Sequence, residues 1–127
     1  MGRQKKTGYV ELHARSAFSF LRAASIPSAL ATRAAEVGLS ALALTDRDGF
    51  YGSPRLWMAT QGTGVRAIYG CELTMEDGTV LPLLVRALKG YQSLCRLITR
   101  SKLRAPKGKG MIFWEENWPR SRTAWFV

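Results

Sequence analysis

Three apolar runs in this chain each end on a residue able to bind a metal or a phosphate, and stretches of helical character lie between them. Val10-Glu11-Leu12 leads into His13, Ala41-Leu42-Ala43-Leu44-Thr45 into Asp46, and Val65-Arg66-Ala67-Ile68-Tyr69-Gly70-Cys71 into Glu72. A strand, a polar terminus and a helix in succession make a β/α unit. The second run is nearly unbroken in small and branched apolar residues, which suits a parallel strand covered on both faces. In β/α barrels the C-terminal ends of the strands are where chemistry is done. Core building does not require a His, an Asp and a Glu at equivalent points of successive strands, so these side chains are the first site candidates.

The intervening segments support that architecture. Ser25 is placed to cap a helix with Pro27 in its first turn, where the missing N–H costs little. Leu30, Ala34 and Val37 recur at helical spacing, and Gly38 is a natural stop. Strands are expected over residues 9–13, 39–45 and 65–69. Asp46-Arg47-Asp48-Gly49 reads as a tight turn, followed by a short helix at about 53–61 that Gly62-Thr63-Gly64 breaks. Glu76-Asp77-Gly78-Thr79 reads as a hairpin turn joining Leu73-Thr74-Met75 to the apolar run 80–85. Leu94, Leu97 and Ile98 share one face of a last helix, about 91–101. The expected fold class is α/β, a partial β/α barrel of about three to four β/α units. Residues 1–8 read as a basic leader, 9–104 as the folded part, and 105–127 as a basic, Trp-rich tail holding Trp114, Trp118 and Trp125.

Composition narrows the function. There are 127 residues, enough for one domain or part of one, and 46% are apolar. No run reaches the roughly 18 apolar residues of a membrane span, and no apolar stretch follows the leader as in a signal peptide, so no membrane partner and a cytoplasmic location are expected. Cys71 and Cys95 read as buried, reduced thiols, since zinc knuckles need close pairs such as C-x-x-C. Nineteen Lys and Arg against nine Asp and Glu give a net charge of +10. That excess favours polyanions. The basic residues are spread along the chain, however, and no RNA-recognition signature, helix-turn-helix signal or stacking platform accompanies them.

Imidazole and carboxylate suit Zn²⁺, Mn²⁺ or Fe²⁺. Singly, a His beside a strand is commonly a rim residue, an Asp after a strand a turn or cap, and a Glu in such a turn solvent-facing. Their shared position at the ends of neighbouring strands favours a common polar pocket.

These residues also carry a family resemblance. Leu12-His13-Ala14-Arg15-Ser16-Ala17-Phe18-Ser19-Phe20-Leu21-Arg22 resembles the first motif of polymerase-and-histidinol-phosphatase (PHP) domains. Ala43-Leu44-Thr45-Asp46-Arg47-Asp48-Gly49-Phe50-Tyr51-Gly52 resembles the second, and Ile68-Tyr69-Gly70-Cys71-Glu72-Leu73 the segment supplying a glutamate ligand. Gly90-Tyr91-Gln92-Ser93-Leu94-Cys95-Arg96-Leu97-Ile98-Thr99 resembles the helix that follows. The wording Phe-Ser-Phe-Leu-Arg-Ala-Ala-Ser and the later Arg104-Ala105-Pro106-Lys107-Gly108 resemble the error-prone branch of the C-family bacterial DNA polymerases. The resemblance covers roughly residues 8–110 and implies a PHP-type, TIM-like partial barrel.

The departures shape the functional expectation. Metal-binding members carry His-x-His in the first motif and Asp-His in the second; here the second positions are Arg15 and Arg47, and His13 is the sole histidine. The resemblance leaves His13, Asp46 and Glu72 as candidate metal ligands, not competent alone. A guanidinium stays protonated and cannot coordinate a metal, but it can neutralise a carboxylate. The expectation is a vestigial pocket of His13, Arg15, Asp46, Arg47 and Glu72 without metal; Zn or Mn enters only if the pocket is competent. No catalytic residue is assigned. A complete β/α barrel needs at least ~200 residues, so this sequence corresponds to about half of such a domain. It carries none of the polymerase carboxylates, and no polymerase activity is expected of it. The resemblance implies DNA as partner of the full-length enzyme, with replication or mutagenesis subunits beside it, and damage-tolerant, mutagenic synthesis as its activity. Two other readings stand: half of a metal-dependent phosphoesterase or exonuclease completed by another chain, with Arg15 and Arg47 as phosphate clamps, or a small basic nucleic-acid-binding module.

Overall fold

The computed structural model describes residues 7–116, 118, 119 and 124–126. Most of the expected leader, and part of the Trp-rich tail, lie outside the described residues. The described elements are β1 (Glu11–Ala14), α1 (Pro27–Glu36), β2 (Ala41–Arg47), α2 (Ser53–Thr60), β3 (Arg66–Thr74), β4 (Val80–Val85), α3 (Leu88–Leu103) and β5 (Ala124–Phe126). They build one sheet in the order β1-β2-β3-β4-β5. Strands β1, β2 and β3 are parallel, whereas β4 and β5 run antiparallel to their neighbours. The chain is thus a mixed α/β half-barrel. Two regular β/α units lead to β3, and a hairpin separates β3 from the helix α3.

Several boundaries differ from expectation for traceable reasons. Helix α1 starts after Ile26 with no side-chain cap. Ser25 instead gives its backbone carbonyl to the Ala17 N–H at 2.8 Å. Asp46 and Arg47 are strand rather than turn, because the β2–β3 ladder continues through Asp46↔Cys71 and Arg47↔Glu72. Strand β3 runs on to Thr74 because its second half gains β4 as a partner, Gly70↔Leu84 through Thr74↔Val80. A Cβ at Gly70 would lie 2.3 Å from the Leu83 carbonyl oxygen, so this crossing-over strand needs glycine there.

Two apolar clusters hold the layers together. Ala31, Ala34, Leu42, Leu44, Leu56 and Val65 join α1 and α2 to the parallel strands. Cys71, Leu73, Met75, Leu83, Leu94, Leu97, Ile98 and Ile112 join α3 and the tail to the hairpin strands. Both cysteines are free. Cys71 is buried and its thiol is pushed up mainly by that burial; Cys95, expected buried, is only half-buried on α3.

The tail is fastened rather than loose where it is described. Ile112 bridges to Met75, Trp114 donates its backbone N–H to Glu76 (2.9 Å) and its indole N–H to Asp77 (3.0 Å), and Glu116 pairs with Arg100 and Arg104. Strand β5 then covers the edge of β4.

Candidate functional site

Glu72 organises the site. Its side chain is fully buried, yet three basic groups reach it. His13 Nε2 contacts Oε1. Arg15 Nε donates to the same oxygen at 2.5 Å. Arg47 Nη1 lies 3.4 Å from Oε2. The strand pleat explains the convergence. His13 lies in β1 and Arg15 directly follows its last residue, and both reach the same Glu72 oxygen. Between Glu11↔Leu42 and Ala14↔Leu44 the β1–β2 register shifts, and such irregularities re-aim side chains. Arg47 stands beside Glu72 in the parallel ladder, on that same face.

Burial raises the Glu72 carboxyl's affinity for a proton, but hydrogen bonds from Arg15 and His13, and their charges, outweigh it. The carboxyl therefore titrates below the ordinary glutamate value. Arg47 is further fixed by Nε–H donation to Thr74 Oγ1 at 2.9 Å. Thr74 in turn donates its N–H and hydroxyl to Asp48, at 2.8 and 2.6 Å.

Asp46 stands apart from this cluster. Its ladder partner is Cys71 and not Glu72, so alternation puts the two carboxyl groups on opposite faces of the sheet. There it is buried under the loop after β1. The Ser16 N–H donates to Oδ1 at 2.7 Å, the Ser16 hydroxyl to Oδ2 at 2.8 Å, and the Ser19 hydroxyl to Oδ1 at 2.8 Å. A Cβ at Gly52 would come within 2.8 Å of Asp46 Oδ2 and 3.0 Å of Ser16 Oγ, so the cradle closes only over glycine.

The structure thus brings His13, Arg15, Arg47 and Glu72 together and places Asp46 elsewhere. Sequence reasoning passed over Ser16, Ser19, Asp48 and Thr74, which hold the Asp46 and Arg47 side chains. Among the described residues no three His, Cys, Asp or Glu side chains converge as a metal site. The donor set does not fit a divalent ion at Glu72, because guanidinium groups with no lone pair to offer occupy both carboxylate oxygens.

A half-wound β/α sheet with a polar cluster at the C-terminal rim of its parallel strands defines a partial β/α barrel. The PHP domain family matches residues 11–125, and the chain belongs to that family. Similar proteins include an error-prone DNA polymerase of Pseudomonas fluorescens, 47% identical over 110 residues, 87% of this chain and 11% of the relative. Another, from Xanthomonas axonopodis pv. citri, is 49% identical over 100 residues, 79% of this chain and 9% of the relative. The chain therefore spans about a tenth of the length of the curated relatives it matches. Among solved structures, a protein of Bifidobacterium adolescentis assigned as a metal-dependent phosphoesterase superposes with TM-score 0.59 at 18% identity, over 79% of this chain and 36% of that one. An amidohydrolase from Chromobacterium violaceum, solved with bound sulfate and no metal, gives 0.57 at 22% identity, over 72% and 32%. At those identities the likeness is one of fold.

Proposed function

We propose that this chain is the first part of the PHP domain of an error-prone DNA polymerase, serving as a scaffold whose pocket is neutralised by arginine instead of a metal ion. The observation that carries the reading is Glu72: a fully buried carboxyl whose two oxygens meet Arg15 and Arg47. A buried charge without a partner is costly, and two guanidinium groups meet that cost where an ion otherwise would. Residues 9–104 then form the N-terminal part of the domain, and 105–127 a tail packed against it. Nucleotidyl transfer belongs to parts of the longer relatives that these 127 residues do not match. DNA, replication or mutagenesis subunits, damage-induced synthesis and a cytoplasmic location are assigned through that longer context. No helix among the described residues is long and apolar enough to cross a membrane.

The alternative of a metal-dependent phosphoesterase half has less support. Arg15 and Arg47, which would clamp phosphate, are engaged by Glu72. Elemental analysis of the purified protein tests the choice. The scaffold reading expects Zn, Mn and Fe far below one equivalent. Stoichiometric, tightly held metal that is lost in His13→Ala overturns it.

A further inference from the structure

The first strand leaves one border of the sheet open. Strand β1 pairs with β2, and its other side meets no described strand. An open border offers backbone donors and acceptors to any incoming strand. Here the chain itself takes one of those donors. The Glu11 carboxylate folds back along its own strand, and its Oε1 accepts the His13 N–H at 2.8 Å. Its Oε2 accepts the Tyr9 hydroxyl, also at 2.8 Å. Both bonds are exposed, so the His13 N–H points away from β2. Two apolar side chains flank the carboxylate in solvent, Tyr9 at 59% and Leu12 at 40% exposure. A bond to a charged acceptor is about twice as strong as one between neutral groups. Glu11 therefore competes well with the carbonyl of an approaching strand.

We propose that β1 is a guarded dimerisation edge: a second copy of the chain adds its own β1 antiparallel, across a twofold axis at Leu12, once Glu11 releases the His13 N–H. The stretch 9–15 is self-complementary in that register. Leu12 meets its own copy, Val10 meets Ala14, Glu11 meets His13 and Tyr9 meets Arg15. Apolar residues thus face apolar ones, and no like charges stand opposite each other. The freed His13 N–H bonds to the second copy's Glu11 carbonyl. A twofold axis makes every such contact twice, which a strand of unrelated sequence does not match. Tyr9 and His13 are the titratable groups that act on Glu11, and Leu42, beside it in the ladder, carries no charge. The Tyr9 hydroxyl first, and then the His13 N–H, hold the Glu11 carboxyl below the ordinary glutamate value against the opposing effect of burial. The guard is therefore charged at neutral pH and is lost on acidification. Glu11 is held by Tyr9 and His13 and not by the arginines of the Glu72 pocket, so the inference stands apart from how that pocket is neutralised.

Sedimentation equilibrium of the full chain tests this at neutral pH and about 0.15 M salt, where long-range repulsion between the basic copies is screened. Glu11→Ala should dimerise about tenfold more tightly than the parent chain, or better, because a charge-assisted bond no longer has to be broken first. Adding Leu12→Lys to that variant sets two like charges on the axis and should return it to monomer. The parent chain should dimerise on the acid side of the ordinary glutamate range, with far-UV circular dichroism recorded alongside to follow the fold. Tyr9→Phe should move that onset to higher pH, because the carboxyl loses the bond that lowers it most. Equal association of the parent chain and Glu11→Ala at neutral pH overturns the proposal. A Glu11→Ala chain that stays monomeric at millimolar concentration, or a dimer that Leu12→Lys leaves intact, overturns it equally.

Discussion

Arg47 and Glu72 are neighbours across the β2–β3 ladder, and Arg47 Nη1 stands 3.4 Å from Glu72 Oε2 on the face that His13 and Arg15 also reach. Adjacent parallel strands thus supply opposite charges at one register position, and the first strand adds two more basic groups. The burial of Glu72 is tolerable only because of that arrangement.

Glu72→Gln keeps the shape and removes the charge. It leaves Arg15 without its anion and Arg47 with Asp48 alone, at 3.8 Å. Removing one partner of a fully buried pair costs roughly 3–5 kcal/mol, and since Arg15 is about a third exposed the loss here should be smaller, about 2–3 kcal/mol. Urea unfolding monitored by tryptophan fluorescence measures it. Arg15→Ala should cost less than Glu72→Gln.

The same carboxyl predicts a pH effect. Its folded value lies below the ordinary 4.5, so its contribution is complete above that value and is lost as pH falls below it. The gap in melting temperature between the parent chain and Glu72→Gln should be constant at neutral pH and should narrow through the acid side of 4.5. A gap that widens on acidification would contradict the sign of the shift.

Metal should not stabilise the chain. A ligand that binds only the native state raises stability with RT ln(1 + [L]/Kd). Adding Zn²⁺ or Mn²⁺, or stripping with a chelator, should leave the melting temperature where it was. A rise with added ion that His13→Ala abolishes would revive a metal-binding pocket.

The Asp46 cradle should be as costly to disturb as Glu72. Asp46→Ala strands the Ser16 N–H and two buried hydroxyl groups, for an expected loss of about 2–3 kcal/mol. Gly52→Ala pushes a methyl group against Asp46 and Ser16, and overpacking of this kind costs about 1–3 kcal/mol. Thermal unfolding of both variants provides the check.

Much of this was legible in the sequence because it rests on period and order. The β/α succession and the hairpin at 76–79 follow from apolar runs and turn residues, and the family resemblance grouped His13, Arg15, Arg47 and Glu72 in one pocket. What escaped depended on pairing across distant segments. Asp46 and Arg47 look like turn residues until the ladder to Cys71 and Glu72 extends the strand over them. That one extension sends Asp46 to the opposite face from Glu72. Ser16 and Ser19 are ordinary loop hydroxyls until the loop folds over Asp46.

Strand β3 has a parallel neighbour on one side and an antiparallel one on the other. On that flank the winding that built the rim has reversed direction. The parallel series itself ends at β1, whose outer backbone groups pair with no described strand. A polypeptide that extends the parallel series directly enters next to His13, and mutations at Tyr9 or Leu12, exposed along that seam, are the ones to watch for failed assembly.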